Sequence, residues 1–196
     1  MHILVVSGSQ REGSRSGAIA DLIARRLAAR HDAHEASVLK LEAVEIPWKE
    51  RADDRAGPIA ARLAAADGFV ILAPEWNGMA TPALKNLFMI AGNDLFAHKP
   101  AALFGVSEGT GGAYPMAELR MSVHKNTLVC FTPVSIAIRP ASAFIAEGES
   151  VLAGAEPSPA WARVDHSLDV LMAYAEALGR ARAAAPELLR KVYNGN

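Results

Sequence analysis

The sequence predicts an open α/β fold on a parallel sheet of five strands, and three observations lead to it. Four short apolar runs, at residues 3–6, 69–73, 101–106 and 128–131, lack polar alternation, as strands covered on both faces do. The segments between them are rich in alanine, leucine and arginine, with apolar residues at helical spacing. Loops rich in Ser, Gly and Pro follow the runs directly, which is where open α/β sheets gather ligands.

The elements follow in order. After the 3–6 strand, Leu22, Ile23, Leu27 and Ala28 mark the buried side of a helix whose Arg25, Arg26 and Arg30 reach water. A weaker strand covers 35–41. Ile59, Leu63 and Ala66 repeat the helical pattern before the 69–73 strand, and Ala83, Leu84, Leu87 and Phe88 repeat it after. The 101–106 strand leads to a helix from Gly112 to about His124, and the 128–131 strand closes the sheet. Residues 140–159, with Gly148, Gly154, Pro157 and Pro159, form the least regular stretch, read as a surface excursion or part of a subunit contact. A long helix over 160–185 follows, with Arg180 and Arg182 on a solvated face. Alternating strands and helices are the signature of a parallel sheet dressed on both sides.

At 196 residues, with 51% hydrophobic and 21% charged content, the chain suits one domain spanning 1–196. Twenty basic side chains against twenty-one acidic ones leave a net charge of -1, so no nucleic acid or membrane partner is expected. The one cysteine, Cys130, lies in a run that reads as a buried strand, which excludes an intrachain disulfide and fits a reducing compartment. The start of the chain lacks a signal-peptide pattern, and no run approaches the ~20 apolar residues of a membrane span. A cytoplasmic location is expected. The six histidines form no HExxH, CxxC is absent, and no GxSxG marks a nucleophile elbow. Neither a metal site nor a hydrolytic triad is expected.

Three loops carry chemistry. Residues 7–16, SGSQREGSRS, offer hydroxyls, two guanidinium groups and a helix N-terminus, a combination that favours a phosphate. The loop is neither a Walker loop nor GxGxxG, and its structural alternative is a turn with a serine N-cap. Residues 74–82, PEWNGMATP, combine a stiff bend with the flat face of Trp76 and the polar Asn77, which suits a heteroaromatic ring. The alternative there is a turn capping the helix that begins near Thr81 and Pro82. Residues 107–114, SEGTGGAY, hold three glycines that let backbone approach a ligand closely.

Taken together, these strings resemble those of the NADPH-dependent FMN reductase family. GSQREGS is similar to its G-S-x-R-x-x-S phosphate loop, PEWNGMATPALKN to its P-E-Y-N-x-x-x-P-x-x-L-K-N segment, and SEGTGG to a shortened S-x-G-x-x-G-G loop, in order over roughly residues 3–138. The resemblance implies a flavodoxin-like three-layer sandwich with strand order 2-1-3-4-5, noncovalent FMN, and NADPH or NADH as co-substrate. It places Ser9, Arg11, Ser14 and Ser16 around the FMN phosphate, and Pro74, Glu75, Trp76, Asn77 and Gly78 along the ribityl chain and ring. Ser107, Gly109 and Gly112 would flank the ring from the other side. Four departures stand out: Ser16 replaces the usual Asn, Trp76 the usual Tyr, the glycine loop is shorter, and Met89 replaces an Asp.

The implied activity is hydride transfer from NAD(P)H through bound FMN to a quinone, azo compound, metal oxyanion or free flavin. No protein nucleophile or base is required, because the flavin carries the chemistry. Asn77 and the amides of the 76–78 turn and glycine loop are candidates for tuning the flavin, and Arg15 for attracting a 2′-phosphate. The rival readings are a flavodoxin-type electron carrier or redox sensor, and an α/β domain that has lost its ligand. The resemblance also implies a homodimer or homotetramer, with Met79, Phe88, Met89 and Ile90 serving either that interface or the core.

Overall fold

A computed structural model describes residues 1–31, 34–48, 57–92 and 94–187. The chain runs β1 (His2–Ser7), α1 (Arg15–Arg30), β2 (Glu35–Lys40), α2 (Gly57–Ala65), β3 (Gly68–Trp76), β4 (Met79–Ala80), α3 (Pro82–Ala91) and β5 (Pro100–Val106). It continues through α4 (Ala113–Ser122), α5 (His124–Thr127), β6 (Cys130–Phe131), β7 (Ile136–Ile138), α6 (Ala141–Leu152) and α7 (Pro159–Ala184). The sheet order is β2-β1-β3-β5, with β6 and β7 both against the far side of β5. Taken as lanes, this is the flavodoxin-like order 2-1-3-4-5. All pairings are parallel except that of the short β4 with β3.

Side chains alternate across a strand, so each central strand feeds two cores. Ile3, Val5, Val70, Leu72 and Phe104 face a cluster closed by α1, α6 and α7. Leu4, Val6, Phe69, Ile71 and Leu103 face the other, closed by α2, α3 and α4. Burial on both faces explains the unbroken apolar runs. At the sheet edge, β2 buries only Leu39 fully, which explains its weaker pattern. Phe88 joins the second core, whereas Met79 and Met89 are exposed. Among the described residues no helix is long and apolar enough to cross a membrane.

Three expectations need correction. The fifth lane is not one strand over 128–131. Leu128 takes a left-handed φ of 55° as the C-cap of α5, its amide bonded to His124 O, so the apolar run begins as a helix end. The lane is split between Cys130–Phe131, against Pro100 and Ala101, and Ile136–Ile138, against Phe104 to Val106. Cys130 is half-buried rather than fully enclosed, and burial pushes its thiol pKa up.

The stretch 140–159 is not irregular, for most of it is helix α6. Its buried residues Ala141, Phe144, Gly148 and Val151 fall at helical spacing and pack on α1. Gly148 is no breaker: a Cβ there would lie 2.5 Å from Trp161 Cζ2. Trp161 is fully buried and stacks on Phe144 with centroids 4.3 Å apart.

The arginines are not all solvated. Arg26 meets Asp165 in a bidentate pair, Nε to Oδ1 at 2.9 Å and Nη2 to Oδ2 at 2.6 Å, and Arg30 reaches Asp165 and Asp169. The paired hydrogen bonds fix α1 to α7 with a direction that apolar contact alone does not supply. Arg182 likewise donates to His98 O.

Candidate functional site

The loop after β1 is shaped by what packs beneath it. A Cβ on Gly8 would lie 2.7 Å from Leu72 O and 2.8 Å from Leu84 Cδ2, so only glycine lets the chain turn there. The Gly8 amide donates to Leu72 O, and the Thr81 hydroxyl donates to Gly8 O. Thr81 is also the N-cap of α3, accepting from the Leu84 amide, with Pro82 opening the helix. Gln10 Oε1 accepts from the Ala83 amide at 3.1 Å. The loop is thereby anchored to the start of α3.

Ser14 is the N-cap of α1, and its Oγ accepts from the Gly17 amide at 3.0 Å. By position the amides of Arg15 and Ser16 have no intrahelical carbonyl to bond, and the helix dipole adds positive potential there. Glu42, just beyond β2, accepts from the Ser14 amide at 3.2 Å and places a carboxylate beside this N-terminus.

Above the loop lies an open cleft of about 540 Å³. Ser9, Arg11, Ser14 and Ser16 line it from the first loop, Pro74, Glu75 and Trp76 from the end of β3, and Ser107 from the end of β5. These eight expected site residues are brought together. Asn77, Gly78, Gly109 and Gly112 are not among its lining residues.

The structure shows what three of those four do. Asn77 and Gly78 have φ of 50° and 76° and form the two-residue turn of a hairpin pairing Trp76 with Met79, the backbone that Asn-Gly favours. Gly112, with φ of 101°, donates its amide to Glu75 Oε2 at 2.6 Å, so that amide is already committed. A Cβ on Gly105 would lie 1.7 Å from Gly112 O, and one on Gly111 would lie 2.7 Å from Glu75 Oε1. Close packing against the Gly112 carbonyl and the Glu75 carboxylate accounts for Gly105 and Gly111, and the left-handed φ accounts for Gly112.

Charged groups frame the cleft. The Arg11 guanidinium lies 4.2 Å from the centroid of the Trp76 ring, a cation–π contact joining the first loop to the second. Arg15 pairs with Glu108 at 3.2 Å rather than standing free. The Ser142 hydroxyl donates to Glu108, and with the Ser142 amide and Arg15 it holds that carboxyl below its usual range. Glu118 takes the Ala80 amide at 2.7 Å and Lys85 Nζ at 2.9 Å, which ties the hairpin to α4. Glu42, Glu108 and Ser142 carried no signal in the sequence, since a carboxylate in a loop or a hydroxyl in the first turn of a helix has no local pattern.

The family described as NADPH-dependent FMN reductase matches residues 1–140. An NADPH azoreductase from Bacillus sp. (strain OY1-2) is 29% identical over 117 residues, covering 57% of this chain and 62% of that protein. The alignment thus spans less than two thirds of that relative. Among solved structures, an NADH:FMN oxidoreductase in its apo form superposes with a TM-score of 0.65 at 14% identity, over 90% of this chain and 89% of that one. A flavoenzyme NAD(P)H:(acceptor) oxidoreductase from Paracoccus denitrificans gives 0.61 at 19% identity, over 91% and 97%. At these identities the likeness is one of fold. Because the matched span runs through all three loops around the cleft, the chain belongs to the NADPH-dependent FMN reductase family.

Proposed function

We propose that the cleft binds FMN and that the chain is an NAD(P)H-dependent oxidoreductase acting on a small-molecule acceptor such as a quinone, azo compound, metal oxyanion or free flavin. The observation that carries this reading is the convergence, in one cleft, of an anion site and a flat apolar wall. Ser9, Ser14, Ser16, Arg11 and the N-terminus of α1 supply donors for a phosphate, and Pro74 with Trp76 supplies the wall. A volume of about 540 Å³ lies within the usual ~300–1,000 Å³ of cofactor pockets. The donor set and the dimensions therefore fit the group.

Bound FMN would supply the ring that takes hydride from NAD(P)H and passes electrons onward. The protein's part is to bind and orient. Arg11 and the amides of Arg15 and Ser16 would hold the phosphate, while Trp76 and Pro74 would line the ring. Asn77 and Gly78 act by shaping the hairpin that presents Trp76, and Glu75 keeps the glycine loop at a fixed distance from it. Ser9, Arg11, Ser14, Ser16, Pro74, Trp76 and Ser107 are the residues we assign to direct contact. With Arg15 paired to Glu108, a preference for the 2′-phosphate is not assigned to it.

We further propose a cytoplasmic, single-domain protomer that assembles as a homodimer or homotetramer. Exposed Met79, Met89, Tyr114 and Met121 provide apolar surface for the contact. The deciding experiment is an anaerobic absorption series on the purified chain with FMN, then NADPH, then a quinone. Bound flavin that bleaches with NADPH and recovers with quinone supports the reductase. Flavin that stays oxidised points to an electron carrier, and no binding at all refutes the assignment of the cleft.

A further inference from the structure

Two arginines line the FMN cleft, and they are held differently. Arg15 is paired with Glu108. The Arg11 guanidinium has no carboxylate and no hydrogen-bond acceptor among the described residues, and what holds it is the face of Trp76, 4.2 Å away at the ring centroid. Its backbone is fixed, since the Arg11 amide donates to Ser9 Oγ at 3.2 Å and Ser9 is buried. Only the side chain is left to exchange partners.

The position of the contact gives it a consequence for ligands. Leu72 faces the core closed by α1, and side chains alternate along β3, so Pro74 and Trp76 project to the side of the loop that leads into α1. Arg11 reaches Trp76 from that loop, and the contact joins two walls of the cleft. Stacked aromatic rings set their centroids about 4.5–7 Å apart. A guanidinium at 4.2 Å therefore fills the space a flat ring would need on the face that it covers.

The donors for a phosphate, Ser9, Ser14, Ser16 and the first amides of α1, belong to the same loop as Arg11. The two partners open to its guanidinium are unequal. A cation–π contact at an exposed site corresponds to about a two- to fivefold preference. A phosphate offers charge-assisted, bidentate hydrogen bonds, which are the stronger class.

We propose that Arg11 makes the phosphate a condition for ring binding: in the free chain its guanidinium covers Trp76, and a bound phosphate draws it off and opens that face to the flavin ring. Arg11 thus selects FMN over flavins without a phosphate twice, by holding the phosphate and by covering the wall when none is present. This rests on the FMN reading of the cleft. Occupation of the phosphate end and of the ring end is then coupled, and the coupling is reciprocal.

The test uses the full flavin-free chain in phosphate-free buffer, with inorganic phosphate, FMN and lumiflavin, the ring without its ribityl phosphate, as probes. Lumiflavin affinity, read by fluorescence quenching, should rise about two- to fivefold with saturating phosphate, against chloride of equal ionic strength. Arg11→Gln should bind lumiflavin about two- to fivefold more tightly and ignore phosphate, yet bind FMN about tenfold more weakly. The opposite signs are the signature, because a damaged fold would weaken both ligands. Phosphate alone should also change the tryptophan emission, a response that Trp76→Phe removes. Lumiflavin that ignores phosphate, or binds neither form, overturns the proposal, and the phosphate series does so on the unaltered chain. If FMN binds while lumiflavin ignores phosphate, this proposal alone falls. If FMN does not bind either, the reading of the cleft falls with it.

Discussion

The Gly112 amide donates to Glu75 Oε2 at 2.6 Å, a hydrogen bond spanning 37 positions that joins the hairpin after β3 to the glycine loop after β5. These are two of the three loops expected to embrace the flavin, and this bond sets the distance between them. Hydrogen bonds to charged groups contribute ~1.5–3 kcal/mol, with the lower end apt for a part-exposed pair. Glu75→Ala should therefore weaken FMN binding about tenfold, the equivalent of ~1.4 kcal/mol. Glu75→Gln keeps an acceptor and should recover most of the loss. Titration by quenching of FMN fluorescence reads both, and an unchanged affinity in the alanine variant would show that the loops are held apart by other means.

Glu42 places an anion at the helix end proposed for the FMN phosphate, while also occupying the Ser14 amide. A carboxylate near a helix N-terminus stabilises it by ~0.3–1 kcal/mol at low salt, and the same charge opposes an incoming phosphate. Glu42→Gln keeps the acceptor and removes the charge. FMN should bind about two- to fivefold more tightly, riboflavin should not change, and the melting temperature should fall slightly. The gain should shrink as salt is added, because the charges are screened over ~10 Å at 0.1 M. If riboflavin gains as much as FMN, charge is not the cause.

How far the site could be read from the chain depends on where each residue's partner lies. The strands at the centre of the sheet were legible because Phe69 to Ala73 and Ala101 to Val106 are buried throughout, which leaves an unbroken apolar run. The Asn77-Gly78 turn was visible as a turn, yet its meaning as a hairpin depends on Met79 pairing back onto Trp76 over only two residues. Glu42 and Glu108 were invisible because their partners, Ser14 and Ser142, lie 28 and 34 positions away. Helix α6 was lost for a different reason. Gly148 reads as a breaker until Trp161 is seen lying against it.

That contact gives two opposing effects whose sizes can be compared. Alanine in place of glycine inside a helix gains ~1 kcal/mol of propensity. A Cβ at position 148 would lie 2.5 Å from Trp161 Cζ2 and 2.9 Å from Leu22 Cδ1, and Trp161 is fully buried against Phe144, with little room to withdraw. Overpacking of this kind costs ~1–3 kcal/mol. The clash should win, so Gly148→Ala should lower stability by up to ~2 kcal/mol in urea unfolding. A more stable variant would mean that Trp161 has room to shift.

Lys99 offers a test in pH. Its ammonium is buried beneath α2, donating to Leu63 O at 3.0 Å and Ala64 O at 2.9 Å at the helix's C-terminal end. Burial, reinforced by nearby Arg182 and partly offset by Asp67, pushes its pKa down to about 8 from the ordinary 10.5. Below pH 8 both folded and unfolded chains carry the proton, and the folded state bears the full cost of the buried charge. Between 8 and 10.5 the unfolded chain holds more proton than the folded one, so stability rises with pH at a slope of up to ~1.4 kcal/mol per unit. Lys99→Met removes this contribution while leaving every other titrating group in place. It also strips two carbonyls of their donor, so the variant is expected to be less stable at high pH, where the neutral amine serves them without the charge. Urea midpoints at pH 7.5, 8.5 and 9.5 should therefore diverge, with the lysine form gaining on the methionine form as pH rises. Parallel profiles across that window would show that the lysine stays charged and that the carbonyls of α2 stabilise the ammonium enough to offset its burial.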